Sequence, residues 1–243
     1  YIMLEPDLTL VVFAFNEIEG LKAIGSRVNT QKKYLKRVLM IDGGSTDGSI
    51  QFAKDLGWDV IVQSQEKKGM LNANIMAIEE SKTSHMIFFS PDNNCVPEKI
   101  SEIYEKLKED DYDFIKVSRY LNGAKSEDDT LITAFGNWMF TTAVNILFNA
   151  KYTDVLGIYY AVKRDIFFST GIQRVKTINT HLAIWMRVLN KKVFEIPGDE
   201  PSRIGGLTKQ NIWYNGMLES YTIISLFLIR IFNKNYFFKY LKK

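Results

Sequence analysis

The chain has 243 residues, a formal net charge of +3 and an apolar fraction of 46%, which suits one large folded unit and excludes a disordered or linker-rich chain. The single cysteine, Cys95, excludes an internal disulfide framework and a Cys-based zinc site, and two histidines, His85 and His181, cannot build a His-rich metal centre. From Tyr221 to Lys243 there are five basic residues and no acidic one, so the basic character belongs to the tail and no nucleic-acid partner is expected.

In chain order, Leu8–Phe15 is a continuous apolar run. Arg37–Ile41, Val60–Val62 and Met86–Phe89 are three more. Short apolar runs without polar alternation predict fully buried strands of a parallel sheet. Helical patterns lie between them over Glu17–Val28, Ser49–Leu56 and Leu71–Glu80, the second with Asp47 or Ser45 to start it and Gly57 to stop it. Strand alternating with helix predicts an α/β fold, a mostly parallel sheet flanked by helices. A helix over Glu98–Lys108 and a strand over Phe114–Val117 follow. The polar Gly123–Thr130 segment reads as a mobile loop, and Leu131–Phe148 as a long, largely apolar helix. Further on come a strand at Tyr159–Val162, a helix at Leu182–Leu189, a strand at Val193–Ile196 and a polar loop over Asp199–Gln210. No leader peptide is expected at the N-terminus. No uninterrupted apolar run reaches the roughly 18–20 residues that span a bilayer.

Parallel sheets bind ligands at the carboxyl ends of their strands. Three of those ends are polar: Asn16-Glu17, Asp42-Gly43-Gly44-Ser45-Thr46-Asp47-Gly48 and Ser90-Pro91-Asp92-Asn93-Asn94. A carboxylate at Asp42 can accept from a nucleobase or ribose, and the Gly-Gly turn admits a ligand close to the backbone. Asp92 with Asn94 offers hard oxygen ligands for Mg²⁺ or Mn²⁺ on a diphosphate. The same residues also make good turns and helix caps. Their joint placement behind apolar runs favours the binding reading.

These motifs resemble family-2 glycosyltransferases of the GT-A (Rossmann-like) fold. Val12–Glu17 is similar to their opening strand, Met40–Ser49 to the second strand and nucleotide-binding turn, Lys68–Ala73 to the next helix start, and Phe89–Pro97 to the segment bearing an Asp-x-Asp metal motif. Later landmarks most resemble polyprenyl-phosphate (dolichyl-phosphate-like) sugar synthases. They are Ser118-Arg119-Tyr120 with Gly123, Gly136-Asn137, Thr153-Asp154 with Gly157, and Arg203, Gly206, Thr208 and Lys209 for an Arg-x-x-Gly-x-Ser-Lys pattern. The resemblance covers about residues 8–210. It implies an inverting transfer from a nucleotide diphosphate sugar, bound by Phe13, Phe15, Glu17, Asp42, Gly44, Ser45, Gly69, Asn72 and Asp92. Asp92 and Asn94 would hold the metal, Arg203 and Lys209 would stabilise the leaving group, and Arg119 would bind an acceptor phosphate.

The chain departs from the family at Phe13, where the family has Pro, at Gly43 for the second Asp of its strand-two motif, and at Ser90 for the first Asp of its metal motif. It also has Asn179-Thr180-His181 where many members carry a Glu-Asp base. A sugar hydroxyl needs a general base, whereas a phosphate monoester is already anionic. The absence therefore favours a polyprenyl phosphate acceptor. A glycan or lipid hydroxyl with His181 as base is the alternative, and a non-catalytic sugar-nucleotide-binding scaffold a further one. Residues 211–243 are expected to form amphipathic helices that lie on a membrane surface or pack in a homo-oligomer, placing the protein in the cytoplasm on the inner face of the membrane.

Overall fold

The four apolar runs form the parallel half of a seven-stranded sheet. A computed structural model describes residues 7–170, 175, 177–205, 211–233 and 236. The strands are β1 (Leu8–Ala14), β2 (Arg37–Asp42), β3 (Asp59–Val62), β4 (His85–Phe89), β5 (Phe114–Ser118), β6 (Tyr160–Lys163) and β7 (Val193–Pro197), in the order β3-β2-β1-β4-β6-β5-β7. Only β6 runs against its neighbours. The ends of β1, β2, β4, β5 and β7 therefore share one edge. β1 has β2 on one side and β4 on the other, so the chain leaves it in both directions and a crevice opens at its end.

Alternation along β1 sorts the two layers of helices. Leu8, Leu10, Val12 and Ala14 pack on one face with α1 (Ile18–Thr30), α2 (Ser49–Asp55) and α4 (Lys99–Glu109). Val11 and Phe13 face the other side, with α3 (Met70–Ser81), α5 (Leu131–Phe148), α6 (Arg164–Thr170), α7 (Ile178–Val188) and α8 (Ile212–Phe232). Alternate residues of a strand point to opposite faces, so one apolar run feeds both cores.

Several expectations need correction. β3 is an edge strand and only partly buried, so its apolar run does not lie fully inside. The helix α6 follows β6, in a stretch to which the sequence reading assigns no element. α7 starts at Ile178, four residues earlier than its apolar pattern, so His181 lies in its first turn and does not precede it. The polar segment 123–130 is tied down: Glu127 N donates to Glu200 O at 2.8 Å, Lys125 N to Asp199 Oδ1 at 2.9 Å, and Asp129 N to Ser126 Oγ at 3.0 Å. Finally, α5 is 18 residues long without a single charge, and by length and composition alone it could cross a membrane. Its scattered Gly, Thr and Asn hide this in the sequence.

The outer sides of α5 and α8 are unusual. The inner sides supply Phe140, Val144, Phe148, Ile223 and Leu226 to the core, and the two C-terminal ends meet where Arg230 Nη1 donates to Leu147 O at 2.9 Å. Outward, α5 presents Leu131 (91% exposed), Phe135, Trp138 and Ile146, and α8 presents Trp213 (79%), Met217, Tyr221, Ile224, Leu228 and Phe232. On α8 that spacing of three and four residues makes a continuous apolar stripe, whereas on α5 the exposed apolar residues cluster in its first half, with Ile146 standing apart near its end.

One glycine couples the sheet to its crevice. A Cβ on Gly20 in α1 would stand 2.3 Å from the Pro91 carbonyl oxygen and 3.0 Å from Asp92 Cα. Both contacts are backbone and cannot swing away. Gly20→Ala is expected to lower stability by about 1–3 kcal/mol in urea unfolding. Gly216→Ala in α8, where nothing lies within 4 Å, is expected to raise it by up to about 1 kcal/mol.

Candidate active site

Asp42 ends β2 wholly buried. Its Oδ1 accepts from Gly44 N at 2.8 Å and Ser45 N at 2.7 Å, and its Oδ2 from Ser45 Oγ at 2.6 Å. This carboxylate is consumed by its own turn, as Asp side chains commonly are. It builds the platform at the end of β2. Gly44 follows at φ +86°, a conformation that glycine adopts without strain. Gly43 is accounted for by Phe15: a Cβ there would lie 3.2 Å from the Phe15 ring.

The turn is stitched to the end of β1. Ser45 Oγ accepts from Asn16 N at 2.8 Å, Asn16 Oδ1 from Thr46 N at 2.9 Å, and Ser49 Oγ from Glu17 N at 3.1 Å. Asp47 accepts from Ile18 N and Ser49 N, both at 3.0 Å, and so caps α1 and α2 together. Phe13 packs against Phe88 with ring centroids 5.6 Å apart. Lys68 Nζ stands 4.2 Å over the Phe15 ring and 4.0 Å from the position of a Gly44 Cβ. Lys68 thus brings a cation to this turn, and it was legible only as part of a motif. Gly69, at φ +115°, opens α3, and Gln63 holds it through both of its amide atoms. Asn72 lies half-buried in the first turn of that helix.

The strongest convergence lies between β1, β4 and the loop after β7. Asp92 is buried, and its Oδ2 receives Arg203 Nη1 at 2.6 Å. Arg203 Nη2 donates to Glu17 Oε1 at 2.7 Å. Two carboxylates from different strand ends therefore share one guanidinium. Asn94 turns its amide nitrogen to Pro201 O at 2.9 Å, and Asn93 donates likewise to Ser202 O at 3.0 Å. Lys209, with Gly206 and Thr208, lies outside the described residues. Among the described residues, no three His, Cys, Asp or Glu side chains gather as a metal cage. The donor chemistry still fits a hard divalent cation: Asp92 and Glu17 already hold a positive group, and Mg²⁺ commonly takes one or two carboxylates, with phosphate and water oxygens completing its shell.

A second cluster is built on Arg119. Its Nε and Nη2 grip Asp154 at 2.7 and 3.1 Å, its Nη1 reaches Glu200 at 3.1 Å, and Asp129 lies 3.6 Å away. Three carboxylates around one guanidinium leave a net negative site. Arg119 therefore holds no free fork in this structure, and its partners are not readable from the sequence. Below it, Lys116 is fully buried. Its Nζ donates to Gly157 O at 2.5 Å, and burial pushes its pKa down to about 8.

His181 Nδ1 lies 3.0 Å from Thr177 Oγ1 and 3.2 Å from Thr177 O, and burial lowers its pKa. Asn179 Nδ2 donates to Leu156 O at 3.0 Å.

Burial alone would raise the Asp154 carboxyl, but Arg119, Lys116 and the Gly157 amide hold it down to about 2. A depressed carboxylate contributes stability that is complete above its ordinary value of 3.8 and is lost as pH falls toward 2. Asp154→Asn leaves Arg119 under-compensated and is expected to cost about 3–5 kcal/mol at pH 7. Urea unfolding of both proteins should show that deficit shrinking by about 2 kcal/mol between about pH 4 and pH 2.

Glycosyltransferase AglJ of Haloferax volcanii is 27% identical over 164 residues, covering 67% of this chain and 52% of that protein. The chain thus spans about half the length of this relative. Glucosyl-3-phosphoglycerate synthase from Mycobacterium tuberculosis, solved with Mn²⁺, UDP-glucose and phosphoglyceric acid, superposes with a TM-score of 0.66 at 15% identity, over 93% of this chain and 79% of that one. The same enzyme solved with Mg²⁺ and UDP gives 0.64 at 17% identity, over 91% and 78%. These likenesses establish the GT-A type of α/β fold. The family description Glycosyl transferase family 2 matches residues 9–195, and with that match over most of its length the chain belongs to glycosyl transferase family 2.

Proposed function

We propose that the protein transfers a sugar from a nucleotide diphosphate sugar to a polyprenyl phosphate, with inversion and with Mg²⁺ or Mn²⁺ bound at Asp92. The carrying observation is the meeting of Glu17, Asp92 and Arg203 beside the Asp42–Ser45 turn. The nucleoside lies on the β1 and β2 ends, with Phe15, Lys68 and Gly44 lining its place and Gly69 and Asn72 at its rim. Asp92 faces the diphosphate, with Asn94 beside it. A divalent ion there supplies Lewis-acid stabilisation of the leaving phosphate. Arg203 and Lys209 neutralise charge on the departing nucleoside diphosphate. An acceptor phosphate oxygen forms the new bond to the anomeric carbon as the bond to the diphosphate oxygen breaks. No proton needs to be removed from a dianionic phosphate, which agrees with the lack of a carboxylate at Asn179-Thr180-His181.

A second reading, a hydroxyl acceptor with His181 as base, has one observation in its favour: the carboxylates around Arg119 would repel an anionic acceptor. Turnover separates the two. Asp92→Asn is expected to cost about 10²–10³-fold with either acceptor. His181→Asn should change transfer to polyprenyl phosphate by less than about threefold. A loss of about 10²–10⁴-fold, with hydroxyl acceptors preferred, would favour the second reading. Nucleotide binding without any turnover would point to the scaffold.

In this reading residues 1–210 carry the chemistry, and residues 211–243 hold the protein on the inner face of the membrane. The exposed apolar faces of α5 and α8 support it. So does the basic run at the end of the chain, whose Lys234, Lys239, Lys242 and Lys243 lie outside the described residues and complement anionic headgroups. Both helices begin where the loops carrying Arg119 and Arg203 end, so a lipid lying on these faces has its head at the site. Co-sedimentation with vesicles containing phosphatidylglycerol should be strong at low salt and weakened severalfold by Trp213→Ser with Leu228→Ser. A vesicle-indifferent dimer, dissociated by the same changes, would mean that a second copy covers the face.

A further inference from the structure

The loop after β7 is fastened across the site at several points. Asn93 and Asn94 hold the carbonyls of Ser202 and Pro201, and Ile204 N donates to Asp92 O at 2.8 Å. Arg203 Nε donates to Gly205 O at 3.2 Å. Asn93 takes a left-handed conformation, φ +76°, and its Oδ1 accepts from Arg27 Nη1 at 3.4 Å, while Arg27 is itself paired with Glu98. The loop's position is therefore specified from the β4 end. Its product is a guanidinium on Asp92 Oδ2 and Glu17 Oε1, with these carboxylates only 6% and 12% exposed.

Carboxylates drawn out of water need a positive partner, and leaving them unpaired is costly. A divalent ion held by Asp92 would be such a partner and would compete with Arg203 for its carboxylate. We propose that Arg203 is the internal counter-cation of the empty site. It fills the cation seat until metal and nucleotide arrive together, then passes from Asp92 to the diphosphate. Asn93 and Asn94 act as positioning residues that hold the loop carrying it. This inference rests on the donor-site reading of Asp92. It makes metal and nucleotide binding mutually dependent: a divalent ion alone must displace Arg203 with nothing to receive it, whereas a diphosphate offers the guanidinium new oxygens. By linkage, each ligand then raises the affinity for the other by the same factor.

The test is Mn²⁺ binding to the full chain, followed by the electron paramagnetic resonance signal of free Mn²⁺, first alone and then with saturating UDP or GDP. Arg203→Gln is expected to tighten Mn²⁺ alone tenfold or more and to lose most of the nucleotide enhancement. Arg203→Lys, whose single ammonium cannot bridge both carboxylates as the planar fork does, should fall between. Asn94→Ala should tighten Mn²⁺ alone by a few fold. Unchanged or weaker Mn²⁺ binding in both Arg203 variants, with Asp92→Asn abolishing it, would overturn the counter-cation while leaving the donor site intact. If Asn94→Ala weakens Mn²⁺ as much as Asp92→Asn does, Asn94 is a metal ligand and its positioning role is wrong. Mn²⁺ binding that survives in Asp92→Asn would instead remove the donor-site reading itself.

Discussion

A carboxylate withdrawn from water must be given a positive or hydrogen-bonding partner, and the ligand edge of this sheet is organised around that requirement. Four acids gather at it, and they are answered in three ways. Asp42 is satisfied by the amides and hydroxyl of its own turn. Asp154, between β5 and β6, is satisfied by the Arg119 fork. Asp92 and Glu17 share Arg203, which comes from a loop more than a hundred residues away in sequence. The first two arrangements are closed by the backbone or by a buried pair and act as scaffold. The third is closed by one side chain on a loop, and it is the arrangement a ligand can most readily exchange.

This distinction explains what the sequence made legible. The β1, β2 and β4 runs and the polar segments behind them could be read directly, because buried parallel strands are uniformly apolar and their ends are abruptly polar. Glu17 and Asp92 could be singled out in the same way, and Arg203 through the family pattern it matches. What could not be read was which acid pairs with which base, since that depends on loops meeting in space. Arg119 looked like a free cation in a short motif, and only the fold brings Asp154, Glu200 and Asp129 around it. That Asp42 is held by its own turn could not be read either, because a turn-forming and a ligand-binding aspartate have the same letter and the same neighbours. Lys68 was passed over because nothing local indicates that it stands above Phe15.

The outward faces of the helical layer are hard to read for a different reason. Periodicity reports which residues avoid water and assumes that the other side is polar. In α5 and α8 both sides are largely apolar, so the pattern has little contrast, and Leu131 or Trp213 reads like a core residue although it faces outward. A surface of that kind is expensive in water unless something covers it. In chain order the two helices follow the loops that carry Arg119 and Arg203. Under the proposed function, the conventional sheet would take the nucleotide and the unconventional helical face the lipid.

The central claim is that the β1, β2 and β4 ends form a metal-dependent site for a sugar nucleotide with Asp92 at its centre. Calorimetric titration with UDP- and GDP-sugars, with and without Mn²⁺, on the wild-type chain and on Asp92→Ala, tests it most directly. The account predicts saturable binding of one nucleotide series only when Mn²⁺ is present, and its loss in the variant. Binding indifferent to both Mn²⁺ and Asp92, or no binding by folded protein, would contradict it.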